Sequence, residues 1–147
     1  MRGEGDSDRA IAPAAATGTK RTALVIGNGA YREGGALENP VKDARAVAGA
    51  LEERGFAVDL ALDCTRKEMN ERLSAFGRAI SGGDAALFYY AGHGYEIDGQ
   101  NYLKPVDASI KDRADAKVES LGLETVLERM EQGRNRINIV ILDACRN

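Results

Sequence analysis

Asp84-Ala85-Ala86-Leu87-Phe88-Tyr89-Tyr90-Ala91-Gly92-His93-Gly94 is an apolar run that ends in the protein's one histidine. A second run, Ile139-Val140-Ile141-Leu142-Asp143-Ala144-Cys145-Arg146, ends in one of its two cysteines. Both have the length and the aliphatic or aromatic content of buried parallel strands. In an open α/β sheet, ligands bind at the carboxyl ends of the strands. A histidine and a cysteine at two such ends therefore face one crevice, the layout that a cysteine nucleophile and its general acid/base need.

The rest of the chain supports an alternating α/β pattern. Thr22 to Ile26 reads as a strand closed by Gly27-Asn28-Gly29. Asn39 is placed to cap a helix that has Pro40 at its first position, where a missing N–H costs nothing. Val41, Ala44, Val47 and Leu51 follow at helical spacing, and Gly55 stops the helix. Phe56, Val58 and Leu60 alternate as a strand. Thr65 and Glu68 form a capping-box pattern ahead of a stripe of Met69, Leu73, Phe76 and Ile80, ended by Gly82-Gly83. Ala85 to Tyr90 is the next strand. Asp98-Gly99 between apolar-bearing segments signals a hairpin. Residues 105–119 are polar and read as loop. Leu123, Val126, Leu127 and Met130 line a helix ended by Gly133, and Ile137 to Leu142 forms the last strand. Strands alternating with helices imply parallel pairing and right-handed crossovers.

Composition narrows the function classes. A chain of 147 residues with 44% hydrophobic content can form one core. The net charge of −3 gives no basic footprint for nucleic acid, and tryptophan is absent. No apolar run approaches the length of a membrane span. Two cysteines far apart in sequence do not make a disulfide framework, and a reactive thiol suits a reducing cytoplasm. Residues 1–20 are rich in Ala, Gly, Asp and Arg, lack the apolar core of a secretory signal, and are expected to be a disordered tail or linker ahead of a domain over 21–147.

Four segments in this order resemble the caspase-like cysteine peptidases, nearest to the metacaspase, paracaspase and bacterial branches. They are Ala23-Leu24-Val25-Ile26-Gly27-Asn28, Leu37-Glu38-Asn39-Pro40-Val41-Lys42-Asp43-Ala44, Tyr90-Ala91-Gly92-His93-Gly94 and Leu142-Asp143-Ala144-Cys145-Arg146. The separation of 52 positions between His93 and Cys145 is close to the roughly 50 expected for caspases. The resemblance runs from about Lys20 onward. It implies a three-layer α/β sandwich with a mainly parallel central sheet, and a large-subunit portion whose small-subunit strands lie outside this chain. The remainder is expected either as a separate chain, released when an enzyme that cuts after Arg or Lys processes its own connecting loop, or as a segment absent here.

The chemistry expected of the site is a dyad. Cys145 attacks the peptide carbonyl, and His93 takes up the thiol proton and then protonates the departing amine. The resemblance assigns the oxyanion donors to the main-chain N–H groups of Gly94 and Cys145, and the substrate pocket to Asp43 and Asp143. Two carboxylates in one small pocket suit a guanidinium or ammonium group, hence cleavage after Arg or Lys. Cys64 has no histidine near it and reads as incidental. Calcium regulates some metacaspases, but Asp98, Asp107, Asp112 and Asp115 are scattered and read as a solvated loop, so no cofactor is expected. The alternative from another class is a non-catalytic caspase-like scaffold, against which the retention of both His93 and Cys145 argues. Other enzymes fail on particular residues. Arg32 stands where a dinucleotide fingerprint needs Gly, and neither a Walker Gly-Lys-Ser/Thr nor a Gly-x-Ser-x-Gly elbow is present. One histidine with two distant cysteines makes no zinc site.

Overall fold

A computed structural model describes residues 19–146. The expected tail over residues 1–20 lies, apart from Thr19 and Lys20, outside the described residues. Strand β1 (Arg21–Gly27) is followed by helix α1 (Asn39–Glu53), β2 (Ala57–Leu62), α2 (Arg66–Ala79), β3 (Ala85–Ile97), β4 (Gln100–Leu103), α3 (Arg113–Glu119), β5 (Leu121–Gly122), α4 (Leu123–Gln132) and β6 (Ile137–Arg146). The six strands form one mixed sheet. Strands β2, β1, β3 and β6 run parallel, while β4 and β5 are antiparallel additions.

The period of two along β1 separates two cores. Leu24 and Ile26 face one side, where they join Phe88, Met69, Leu73, Phe76, Ile80, Val126 and Met130 under α2 and α4. Ala23 and Val25 face the other, where Leu87 and Tyr89 pack under the Ala44 and Ala48 face of α1. The small residues on α1 let it sit close to the sheet. A side chain at Gly27 would run into Ala44 and the Pro40 carbonyl, so the start of α1 is held against the carboxyl end of β1.

Strand β3 organises the sheet. Along Ala85–Ala91 it has β1 on one edge and β6 on the other. Where β1 stops at Gly27, β4 takes over the same edge from Gly94 onward, while β6 continues opposite as far as Arg146. Strand β3 is thus longer than the apolar run predicts, because pairing with β6 carries it through Gly92-His93-Gly94 and pairing with β4 carries it on into the hairpin. The hairpin turns at Asp98 and Gly99, both at positive φ (52° and 78°), the geometry that favours an Asp-Gly pair.

Local signals held where side chains satisfy them. Thr65 Oγ accepts the Glu68 N–H at 3.2 Å and Glu68 accepts the Thr65 N–H at 2.9 Å, closing the capping box. Gly55 ends α1 at φ 85°, and Gly55 and Phe56 donate to the carbonyls of Glu52 and Leu51. Two expectations need correction. Asn39 does not cap α1; the helix starts at Asn39 itself, after Glu38, with no side-chain cap. Residues 105–119 are not all loop, because Asp112 accepts the Asp115 N–H at 2.8 Å and starts α3. No helix among the described residues is long and apolar enough to cross a membrane.

Candidate active site

His93 and Cys145 come together through sheet register. In the β3–β6 ladder they are direct partners, with Asp143 opposite Ala91 and Arg146 opposite Gly94. The two residues are therefore adjacent across one rung, as neighbouring parallel strands require.

The imidazole of His93 is held from several directions. Its Nε2 lies 3.1 Å from the carbonyl of Gly35. A carbonyl only accepts, so Nε2 carries the proton and donates it. Nδ1 is then the basic nitrogen of the neutral ring. It is buried and has no hydrogen-bond partner among the described residues. The Tyr31 ring packs against the imidazole with centroids 4.5 Å apart and planes at 53°. The main-chain N–H of His93 donates to the Tyr31 hydroxyl at 2.8 Å.

The Gly35 carbonyl belongs to the loop between β1 and α1, which is tied down by buried polar groups. Lys104 is almost fully buried, donates from Nζ to the Glu33 carbonyl at 2.6 Å, and sits 5.2 Å over the Tyr31 ring. Burial pulls the Lys104 ammonium below its ordinary pKa, partly offset by Glu33. Asn28 is fully buried and links three segments. Its main chain donates to the Ala91 carbonyl at 2.9 Å, its Nδ2 to the Lys104 carbonyl at 3.1 Å, and its Oδ1 accepts the Cys64 N–H at 2.9 Å. Asp63 accepts the N–H groups of Gly29 and Ala30 at 2.9 Å each.

Asp43 and Asp143 line one cavity of about 220 Å³ with Glu38, Asn39, Pro40 and Gly92. The Tyr89 hydroxyl beside them donates to Asp143 at 3.3 Å. Burial, then the charges of Asp143 and Asp43, push the Tyr89 phenol up to about 12. One hydroxyl thus senses both carboxylates, which converge from the start of α1 and the end of β6. Gly94 is buried and pairs with Leu103 on one edge and Arg146 on the other. Its neighbour Gly92 lies at φ 153°, and a side chain there would meet the hydroxyls of Tyr31 and Tyr90 and the carbonyl of Asn28.

The remaining candidates have structural roles. Cys64 is buried in the main core, and burial, with Glu68 next, pushes its thiol up to about 11. Asp98 pairs with Arg113 and Lys117, Asp107 accepts the Arg66 N–H, and Asp115 accepts the Lys111 N–H. Together with the cap at Asp112, each of these acids is engaged separately.

The sequence model of the Caspase domain family matches residues 20–147. The chain belongs to the Caspase domain family. Mucosa-associated lymphoid tissue lymphoma translocation protein 1 of Homo sapiens is 35% identical over 126 residues, covering 86% of this chain, and its Mus musculus homolog is 34% identical over the same length. This chain spans 15% of the length of either relative. Among solved structures, protein GSU0716 from Geobacter sulfurreducens superposes with a TM-score of 0.62 at 24% identity, covering 86% of this chain and 50% of that one. That likeness supports the caspase-like fold expected from the four segments.

Sequence reading missed Tyr31, Tyr89, Lys104 and the Gly35 carbonyl. A lysine after an apolar strand reads as solvent-facing, and a main-chain carbonyl leaves no mark in a sequence. Asn28 was open to detection: a polar residue between glycines directly after a buried strand has few reasons to be there except hydrogen bonding to main chain.

Proposed function

We propose that this chain carries the catalytic dyad of a cysteine endopeptidase that cleaves after Arg or Lys. The observation that carries the reading is the Nδ1 of His93, without a hydrogen-bond partner among the described residues, at the rung shared with Cys145. In this scheme the Cys145 thiol gives its proton to Nδ1, and the thiolate attacks the peptide carbonyl. The imidazolium returns that proton to the leaving amine, and the acyl group stays on sulfur as a thioester. Water then loses a proton to Nδ1, attacks the thioester and releases the acid, and the thiol is restored. Nucleophile, base and donors are all protein groups, so the chemistry needs no cofactor.

The oxyanion donors are the N–H groups of Gly94 and Cys145, once the rungs His93–Cys145 and Gly94–Arg146 part enough to free them. Asp43 and Asp143 take the cationic side chain, with Tyr89 holding Asp143. A small-subunit segment pairs with β6 and covers Ile137, Ile139 and Ile141, which are 57%, 37% and 42% exposed on one face. Cleavage of the enzyme's own connecting loop and a reducing, cytoplasmic setting complete the reading.

The test is labelling by an Arg-type acyloxymethyl ketone, which requires an assembled site rather than a free thiol. The wild-type protein should be modified at Cys145, and Cys145→Ala and His93→Ala should not. Failure of the wild type to label with an Arg reagent would favour the scaffold reading instead.

A further inference from the structure

We propose that Tyr31 and Tyr90 are positioning residues for His93: their hydroxyls close a hydrogen-bonded ring on both main-chain groups of that residue and so fix the direction in which its imidazole points. The proposal rests on the peptidase reading above only for its kinetic consequence.

The ring follows from four contacts. His93 N–H donates to Tyr31 at 2.8 Å, the two hydroxyl oxygens are 2.9 Å apart, and Tyr90 donates to the His93 carbonyl at 2.6 Å. Tyr90 also lies 3.1 Å from the Lys104 carbonyl. Proton directions are forced. An N–H can only donate, so Tyr31 accepts from His93. The other neighbours of Tyr90 are carbonyls, so its single proton goes to them. The proton of Tyr31 therefore goes to the Tyr90 oxygen. Hydrogen bonds arranged head to tail in this way polarise one another. Both phenols stay protonated in any ordinary buffer, since burial raises Tyr31 to about 12 and holds Tyr90 well above its ordinary value.

The sheet explains why the ring sits here. On the β1 edge of β3, pairing with β1 ends at Ala91 and pairing with β4 begins at Gly94. Gly92 and His93 fall in the gap, where the ladder supplies no strand partner on that edge. The two hydroxyls, with the Lys104 N–H at 3.1 Å from the His93 carbonyl, fill it. They fit because residue 92 is glycine, whose missing side chain would otherwise occupy their place. Tyr31 acts twice, through its hydroxyl on the main chain and through its ring on the imidazole face. With Nε2 tied to Gly35, the histidine is held at its main chain, its face and its far nitrogen, and Nδ1 is the part left to act.

The test uses Tyr31→Phe, Tyr90→Phe and the double variant in the intact protein, with kcat expressed per active site titrated by an Arg-type acyloxymethyl ketone. A purely structural role lowers the titratable fraction and the melting temperature but leaves kcat per titrated site alone. Positioning lowers kcat per site at least about tenfold for either single variant, with KM within about twofold. The double variant should be no worse than the poorer single one, because opening the ring once removes its function. The second readout needs no turnover: the 15N spectrum of the His93 ring should show one Nε2–H tautomer in the wild type and a mixture in either variant. If Tyr90→Phe fails to fold, Tyr31→Phe decides alone. Wild-type kcat per site with an unchanged ring spectrum in Tyr31→Phe overturns the proposal, as do additive losses in the double variant. If the wild type cleaves no Arg peptide, the peptidase reading fails while the ring spectra still decide whether the tyrosines position His93.

Discussion

Asp43→Asn removes one charge from the proposed specificity pocket while keeping its shape. Two opposite unit charges 4 Å apart attract by about 4 kcal/mol at the effective dielectric near a protein surface. Asp43 and Asp143 are both exposed in the chain without substrate, so solvent screens much of that attraction. Truncating one partner of a buried charge pair costs about 2–5 kcal/mol, and the low end applies to carboxylates that are exposed before substrate covers them. The expected loss is therefore about 2 kcal/mol, or roughly 30-fold in kcat/KM for an Arg substrate. The assay is a cycle that pairs the enzyme change with a change of substrate from Arg to citrulline, which keeps the shape but lacks the charge and carries a carbonyl oxygen in place of one donor nitrogen. Wild type should prefer Arg strongly, Asp43→Asn should prefer it much less, and the coupling between the two changes should be about 2 kcal/mol. Coupling below about 0.5 kcal/mol would show that Asp43 does not face the substrate cation. A wild-type preference for Asp over Arg would refute the whole pocket assignment.

The remaining expectations are shorter. Cys145→Ala should abolish peptide cleavage with the fold intact, His93→Ala should be nearly as severe because the pair acts as a unit, and Cys64→Ala should retain activity; normal turnover in Cys145→Ala ends the mechanism. Alkaline stability should fall: Cys64 is raised from 9.0 to about 11 and Tyr31 from 10.0 to about 12, so above pH 9 the unfolded chain loses protons that the folded one keeps, and stability is lost progressively as pH climbs toward those raised values. Melting curves over pH 8–11 check this, and Cys64→Ala should flatten the first part of the decline. Residues 20–147 produced without a small-subunit partner should aggregate and fail to cleave Arg substrates, because β6 then offers an open edge with three exposed isoleucines; a soluble, fully active preparation would show that such a partner is dispensable.

The sheet and the pairing of His93 with Cys145 were legible because their signals are dense. A long apolar run ending in a rare reactive residue constrains both secondary structure and position, and two such runs on parallel strands put His93 and Cys145 on one rung. The helices under the main core were legible from their stripes, since Met69, Leu73, Phe76 and Ile80 recur on one face and are all buried. What escaped depends on contacts between residues remote in sequence. Asn39 had the chemistry of a cap, yet the preceding Glu38 already adopts helical angles and the helix began a residue earlier. Residues 105–119 looked like loop because α3 is short and its one buried side chain is Ala116, too little for an apolar stripe. The supports of the imidazole escaped most completely. Tyr31, Gly35 and Lys104 meet His93 only once the loop after β1 and the end of β4 close around it.

The same ladder that brings His93 and Cys145 together also constrains the proposed dyad. Main-chain N–H groups within a parallel ladder donate to the neighbouring strand, whereas an oxyanion hole needs donors aimed at an empty position. Register pairs His93 with Cys145 and Gly94 with Arg146, so the proposed donors lie inside the ladder. Both demands cannot be met by the same rungs at once. Proposed catalysis therefore needs β6 to separate from β3 beyond Asp143 while His93 stays where it is. The supports of His93 suit that division, because they come from the β1 edge of β3 and from the loop after β1, and none of them involves β6. Peeling back the end of β6 would free the donors and the nucleophile without disturbing the base. Amide exchange reads this directly: the N–H of Gly94 should exchange faster when an Arg-type inhibitor is absent than when it is bound, and that of His93, held by Tyr31, should be slow in both.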